Sequence, residues 1–239
     1  HNNLRTSIIK FRLGVKSHSF NKLNIQKWLL TTFKINKLPD IHIVDRYLAT
    51  TQSLGIKNDG KGLDYFIPKN DEVSAVDFFE SQKYIALVLG AKFKTKQMPL
   101  DKLVEICDKL KNPIVLLGGK DDRRLGEEIV EKSKNTQLYN ASGQYNLNQS
   151  ASILAQAEKV ITHDTGLMHI AAALQKDIIS IWGNTVPELG MYPYVTQEKY
   201  KIVEVKNLSC RPCSKIGYNK CPKGHFDCMK KINVEEMLA

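Results

Sequence analysis

From residue 84 onward, short apolar runs alternate with longer stretches in which apolar positions recur at helical spacing. The runs at 84–89, 114–117, 138–140, 160–161 and 178–182 read as strands. Between them, 100–110 sets Leu100, Leu103, Val104, Cys107 and Leu110 on one helical face, and 121–133, 147–157 and 166–174 read as further helices. Strands alternating with helices demand a parallel sheet with right-handed crossovers, so this part is expected to be a Rossmann-like α/β domain. Asn233 is placed to cap a short closing helix over 234–239.

The first seventy residues are less regular. Ile8, Ile9, Phe11, Leu13 and Val15 alternate weakly with basic residues, which predicts a helix leading into a short strand at 15–19. A basic segment follows at 22–37, carrying Trp28, Leu29, Leu30, Phe33 and Ile35. It reads as an ordinary surface helix or loop, with an amphipathic patch for a membrane face or lipid acceptor as the alternative. Apolar spacing predicts a helix over 41–54, with Asp40 as its cap after Pro39. Residues 55–71, rich in Gly, Asn, Asp and Lys, read as a linker containing the short strand Tyr65-Phe66-Ile67. Gly60-Lys61-Gly62 lacks a third glycine and a preceding strand, so it is no dinucleotide fingerprint.

The stretch 159–194 holds the densest chemistry. A strand at Val160-Ile161 runs straight into the helix that begins near Gly166, with Asp164 and Thr165 as N-cap candidates. Gly166 lets a ligand approach the backbone, and the free N–H groups of the first turn suit an anion such as a phosphate. The next strand ends in Gly183-Asn184-Thr185, so the two loops lie side by side at the edge where open α/β sheets bind ligands. His163, Asp164, Thr165, His169, Asn184 and Thr185 collect there. Taken alone, Asp-Thr-Gly is as readily a plain helix cap.

The whole stretch is more specific. Asp164-Thr165-Gly166-Leu167-Met168-His169-Ile170-Ala171-Ala172-Ala173, a hydrophobic strand, and Gly183-Asn184-Thr185-Val186-Pro187 resemble the nucleotide-sugar segment of the heptosyltransferases, glycosyltransferase family nine. Leu89-Gly90-Ala91-Lys92-Phe93-Lys94-Thr95-Lys96-Gln97-Met98-Pro99 resembles that family's diphosphate loop, with Lys96 at the lysine position, Met98 replacing a tryptophan and Lys92 replacing a small or hydroxyl residue. The resemblance implies a GT-B fold of two Rossmann-like domains with parallel sheets. A remnant of the acceptor-side domain plus linker would fill 1–76, and a nucleotide-sugar domain 77–239. The opening His1-Asn2-Asn3-Leu4-Arg5-Thr6 resembles a segment from the middle of the first domain, so the general base is expected upstream of His1 and none is assigned here.

The resemblance further implies an inverting transfer of heptose from ADP-heptose to the lipopolysaccharide inner core or lipid A. Ala91, Lys92, Lys96, Thr165 and Gly166 would meet the diphosphate, and Asp164 and His169 would orient the sugar. By position, an acidic residue after Gly118-Gly119 suits a ribose hydroxyl pair; Asp122 is the candidate and Asp121 its rival. Tyr145 stands where it could stack on adenine. The alternative function is a nucleotide-sugar or phospho-glycan binding module without turnover, or transfer from another nucleotide sugar. A nicotinamide oxidoreductase is disfavoured because no Gly-x-Gly-x-x-Gly follows a strand.

A net charge of +10 suggests an acidic partner, which could be nucleic acid, a phosphorylated glycolipid or an anionic membrane face, while lysines scattered through the chain read equally well as an ordinary solvated surface; nucleic acid is not the expected partner. No apolar run approaches a membrane span, and a cytoplasmic protein with peripheral membrane contact is expected. Cys210, Cys213, Cys221 and Cys228, near His225, suggest structural zinc more than disulfides, while the chemistry itself is expected to need no cofactor.

Overall fold

The computed structural model describes residues 3–74, 78–79 and 83–239. Its frame is a six-stranded sheet in the order β3-β2-β1-β4-β5-β6, in which every neighbouring pair is parallel. The strands are β1 (Ile85–Val88), β2 (Ile114–Leu117), β3 (Leu138–Asn140), β4 (Lys159–His163), β5 (Asp177–Trp182) and β6 (Tyr200–Glu204). The expected Rossmann-like α/β domain is therefore present. β6, an edge strand whose residues are half-buried or exposed, was not anticipated from the sequence.

Strand β1 shows how the sequence builds two packing layers. Ile85, Leu87 and Leu89 face one core with Leu103, Ile106 and Ile129, from α4 (Leu100–Lys109) and α5 (Arg123–Lys132). Tyr84, Ala86 and Val88 face the other, with Ile153, Leu154 and Met168 from α6 (Leu147–Gln156) and α7 (Gly166–Ala173). Successive side chains of a strand point to opposite faces, so a run that is apolar at every position must be covered on both sides. Two short helices, α8 (Asp227–Lys230) and α9 (Val234–Leu238), complete the first layer through Met229, Val234 and Met237. As expected, the Asn233 side chain accepts the N–H groups that open α9.

The N-terminal part departs from expectation. Among the described residues before 75 there are helices α1 (Leu4–Leu13), α2 (Asn24–Phe33) and α3 (Ile43–Leu48) and no strand. Residues 15–19 form no strand and pair with no neighbouring segment, and an isolated strand cannot satisfy its backbone. Tyr65-Phe66-Ile67 keeps the alternation of a strand, with Phe66 exposed and its neighbours half-buried. It docks through side chains instead: Tyr65 donates to Asn148 Oδ1 at 2.7 Å, and Tyr65 and Ile67 pack against the second core. The helix expected over 41–54 tightens into a 3-10 turn at Ala49–Leu54. Its cap is His42, whose Nδ1 accepts the Val44 N–H, rather than Asp40. The expected domain boundary at 76/77 and the residues His1 and Asn2 lie outside the described residues.

Packing between α5 and β3 gives a test. A helix-interior glycine normally gains about 1 kcal/mol on becoming alanine. At Gly126, however, an added Cβ would lie 2.5 Å from Asn140 Cγ, and Asn140 is held by its bonds to Arg123 O and the Ser142 N–H. Gly126→Ala is expected to lower stability in urea denaturation by about 1–3 kcal/mol; a gain would show that the β3 end repacks freely.

Candidate functional site

The sheet order reverses between β1 and β4, and at such a switch point the loops leaving two adjacent strands diverge and open a crevice. The loop after β1 carries Ala91, Lys92 and Lys96; the loop after β4 carries Asp164, Thr165 and Gly166. A cleft of about 570 Å³ runs along this edge, lined by the ends of four consecutive units: Gly90, Ala91, Lys92 and Lys94 after β1, Gly118, Gly119, Asp121 and Asp122 after β2, Tyr145 to Leu147 after β3, and Thr165 to Leu167 after β4. Of the candidate residues, Ala91, Lys92, Asp122, Tyr145, Thr165 and Gly166 line it.

Lys96, Asp164 and His169 form a second group beside this cleft. Lys96 Nζ meets Asp164 Oδ2 at 2.6 Å, with the side chains only 15% and 9% exposed. The Thr185 hydroxyl donates to the same carboxylate oxygen at 3.0 Å. Half-buried His169 is held below its usual pKa by burial, which outweighs the opposing pull of Asp164; Lys96 adds to the lowering. It is therefore a neutral imidazole beside an ion pair. With both charges largely desolvated, removing either partner strands the other, which is far costlier than losing a surface pair.

Asp164 is thus engaged sideways and does not cap the helix. Thr165 takes the N-cap position with an extended backbone, yet its side chain makes no capping bond. The N–H groups of the first turn of α7 are left without a side-chain acceptor, and a Cβ on exposed Gly166 would meet nothing within 4 Å. An open, uncapped helix start with two lysines across the cleft, Lys92 and Lys94, is suited to an anion.

Asp122 and Tyr145 are partly engaged within the protein. The Asp122 carboxylate accepts the Gly119 N–H at 2.9 Å and lies where a side chain at Gly90 or Gly118 would have to go, which ties the β1 and β2 loops together. Asp121, exposed, lines the same cleft. The Tyr145 hydroxyl is 3.4 Å from that of Tyr139, and its ring meets Phe78 edge-on at 6.0 Å.

Several contributors carried no sequence signal. Thr95, buried, exchanges three hydrogen bonds with Tyr218: its N–H and hydroxyl donate to Tyr218 O at 3.1 and 3.0 Å, and its Oγ1 accepts the Tyr218 N–H at 2.8 Å. Arg211 donates to Gly183 O and Thr185 O and pairs with Glu204 at 2.8 Å. Residues 205–230 therefore form a strap beneath both the Lys96 and the Thr185 loops. The four candidate cysteines lie on this strap as free thiols, with Cys228 pushed up to about 12 by burial and by its neighbouring thiols. Cys210 Sγ is 3.9 Å from His225 Nε2. Among the described residues, no three His, Cys, Asp or Glu side chains converge as a metal-ligand set, so no step is routed through zinc.

His163 and His42 are further additions. His163 is fully buried at the end of β4, and its Nε2 accepts the Met98 N–H at 3.0 Å, which anchors the far end of the Lys96 loop. It is a support for the site rather than one of its exposed polar groups. His42, also buried, packs on Tyr192 and Tyr194 at 4.8 and 4.6 Å and brings the helix α3 segment close enough to His169 to depress its own protonation, after the larger effect of burial.

Burial lowers the His163 pKa from 6.5 to about 4. Below pH 6.5 the unfolded chain takes up a proton that the folded chain refuses until about pH 4. The stability contributed is therefore full above pH 6.5 and is lost as pH falls through that window, by up to about 1.4 kcal/mol per pH unit. Urea titrations across this range should show that slope in the native chain and lose that part of it in His163→Gln; an unchanged slope in the variant would assign it to another group.

Comparison with known proteins gives consistent findings. The family described as glycosyltransferase family 9 (heptosyltransferase) matches residues 2–222. The lipooligosaccharide heptosyltransferase 2 of Haemophilus influenzae is 27% identical over 78% of this chain and 60% of its own length. That of Haemophilus ducreyi is 35% identical over 45% of this chain and 34% of its own length. The glycosyl transferase family 9 structure from Veillonella parvula superposes with a TM-score of 0.67 at 20% identity, over 84% of this chain and 58% of that one. The chain thus spans at most about three-fifths of the length of these proteins.

Proposed function

The chain belongs to glycosyltransferase family 9, and from that premise we propose that it carries the donor-binding half of a transferase moving heptose from ADP-heptose onto the inner core of lipopolysaccharide. The observation that carries the reading is the Asp164-Thr165-Gly166-x-x-His169 segment at an uncapped helix start, facing the lysine-bearing loop across the sheet's switch point. The curated relatives, named lipooligosaccharide or lipopolysaccharide heptosyltransferase 2, supply the sugar and the acceptor class.

In this reading the acceptor hydroxyl attacks the anomeric carbon of the heptose from the face opposite the diphosphate, the bond to the β-phosphate oxygen breaks, and ADP leaves with the bonding electrons. Charge grows on the diphosphate as that bond lengthens. Lys96, released from Asp164, would meet it together with the Thr165 hydroxyl and the first N–H groups of α7. Lys92 adds positive charge at the cleft, and Ala91 presents backbone. Asp164, freed from its lysine, and neutral His169 would hold sugar hydroxyls. Asp122 or Asp121 would receive the ribose, with the adenine against Tyr145. A general base must take the acceptor proton, and no residue of this chain is assigned that role. The acceptor places the work at the cytoplasmic face of a membrane; among the described residues no helix is long and apolar enough to cross one.

Calorimetric titration with ADP, AMP, UDP and GDP tests this. ADP is expected to bind best. Lys96→Ala should weaken ADP about tenfold to a hundredfold, as expected for loss of a charge-assisted contact, and leave AMP nearly unchanged. No nucleotide binding by the folded chain would reject the donor site and leave the family's fold alone.

A further inference from the structure

The cleft along the sheet edge has two unlike ends. Where Lys92 and Lys94 face the start of α7 it is cationic and offers backbone N–H groups. Where it meets α6 its walls are apolar: Val88 from β1, Tyr145 and Leu147 around the start of α6, and Leu167 from α7. Leu147 projects there with 59% of its surface exposed. A flat ring covering these side chains removes apolar surface from water, which a sugar or a phosphate does not.

Most polar side chains at this end are engaged within the protein. Asn146 Oδ1 accepts the Gln149 N–H at 2.8 Å, and Gln149 Oε1 accepts the Asn146 N–H at 2.9 Å. Asn146 and Asn148 also donate to the two carboxylate oxygens of Asp71 at 2.8 and 2.9 Å, and these bonds hold Asp71 below its usual pKa. The first turn of α6 is thereby fixed in place by a segment outside the sheet units.

Ser150 is the exception. It lies one turn into α6, lines the cleft and is only 6% exposed, yet its hydroxyl has no hydrogen-bond partner among the described residues. Every other buried serine or threonine among them, from Thr95 to Ser214, has its hydroxyl bonded within the protein. A helical serine can turn its hydroxyl onto the carbonyl one turn back. Here Asn146 O takes the Ser150 N–H at 2.9 Å and no bond to the hydroxyl. A ligand that covers the apolar walls must therefore either bond this hydroxyl or bury it unpaired, which is unfavourable. Because a hydroxyl both donates and accepts, it can meet a ring nitrogen or an exocyclic amine of a purine.

We propose that Ser150 reads the nucleobase of the donor, its hydroxyl bonded to the hydrogen-bonding edge of the adenine ring while Tyr145, Leu147 and Leu167 enclose that ring. The inference deepens the donor-site reading and rests on it.

The test compares two ligands by calorimetry: ADP, and benzimidazole riboside 5′-diphosphate, which keeps the ribose, the diphosphate and the shape of the ring but has neither nitrogen nor amino group on its six-membered ring. Alanine is the better helix former, so Ser150→Ala removes the hydroxyl without threatening the fold. The variant should bind ADP about threefold to tenfold more weakly than the native chain and bind the benzimidazole ligand unchanged, because that ligand has already lost the bond. Equal weakening of both ligands would put the hydroxyl on the ribose or the phosphates, or make its effect indirect, and would overturn the proposal. Native binding of ADP that Ser150→Ala leaves unaltered would overturn the Ser150 assignment alone. Absence of binding by the native chain would reject the donor site itself and this residue's role with it.

Discussion

A single topological constraint organises this molecule: all six strands are parallel, and the chain reverses its direction of travel across the sheet between β1 and β4. Parallel pairing sends every strand's following loop to the same edge, and the reversal leaves the β1 and β4 loops with no helix between them. Lys96 and Asp164, far apart in sequence, meet at 2.6 Å for that reason. The remaining walls of the cleft follow from the same arrangement, because the loops after β2 and β3 must also end at that edge.

Holding charge at such an edge needs rigid support. The Lys96 loop is tied at three points: Gln97 reaches back to Ala91 O, Thr95 is bonded to Tyr218, and Met98 is bonded to His163. Each of these uses a buried polar group paired within the protein, which costs little once satisfied and much if broken. The cysteine-rich strap enters the site in this way, as a scaffold under the loops on either side of the ion pair, with Arg211 binding carbonyls of the β5 loop. Lys96 is neutralised by Asp164. Under the proposed donor-site reading, an anion at the uncapped start of α7 would compete for that lysine, and its binding would free Asp164.

The sequence by itself determined the C-terminal architecture and the strand-to-helix junction at the sheet's switch point, where the candidate residues gather. Apolar runs of strand length and helices with one apolar stripe admit few arrangements, and a strand-to-helix junction carrying Asp-Thr-Gly marks its own position. The family resemblance rested on those same residues, and the match over 2–222 agrees with it. What failed was whatever depended on a neighbour. The segments at 15–19 and 65–67 have strand-like patterns but no strand paired with them, and pairing is a property of two segments. Asp164 looked like a helix cap because its sequence neighbours suggest one; its actual partners, Lys96 and Thr185, come from other units of the sheet. His163 and Thr95 are indistinguishable in sequence from exposed polar residues, and only burial makes them supports. Local periodicity is written in adjacent residues and could be read directly. The partner of a polar side chain is fixed by tertiary contact, where desolvation decides whether a charge or a hydrogen bond counts, and that only the folded structure decided.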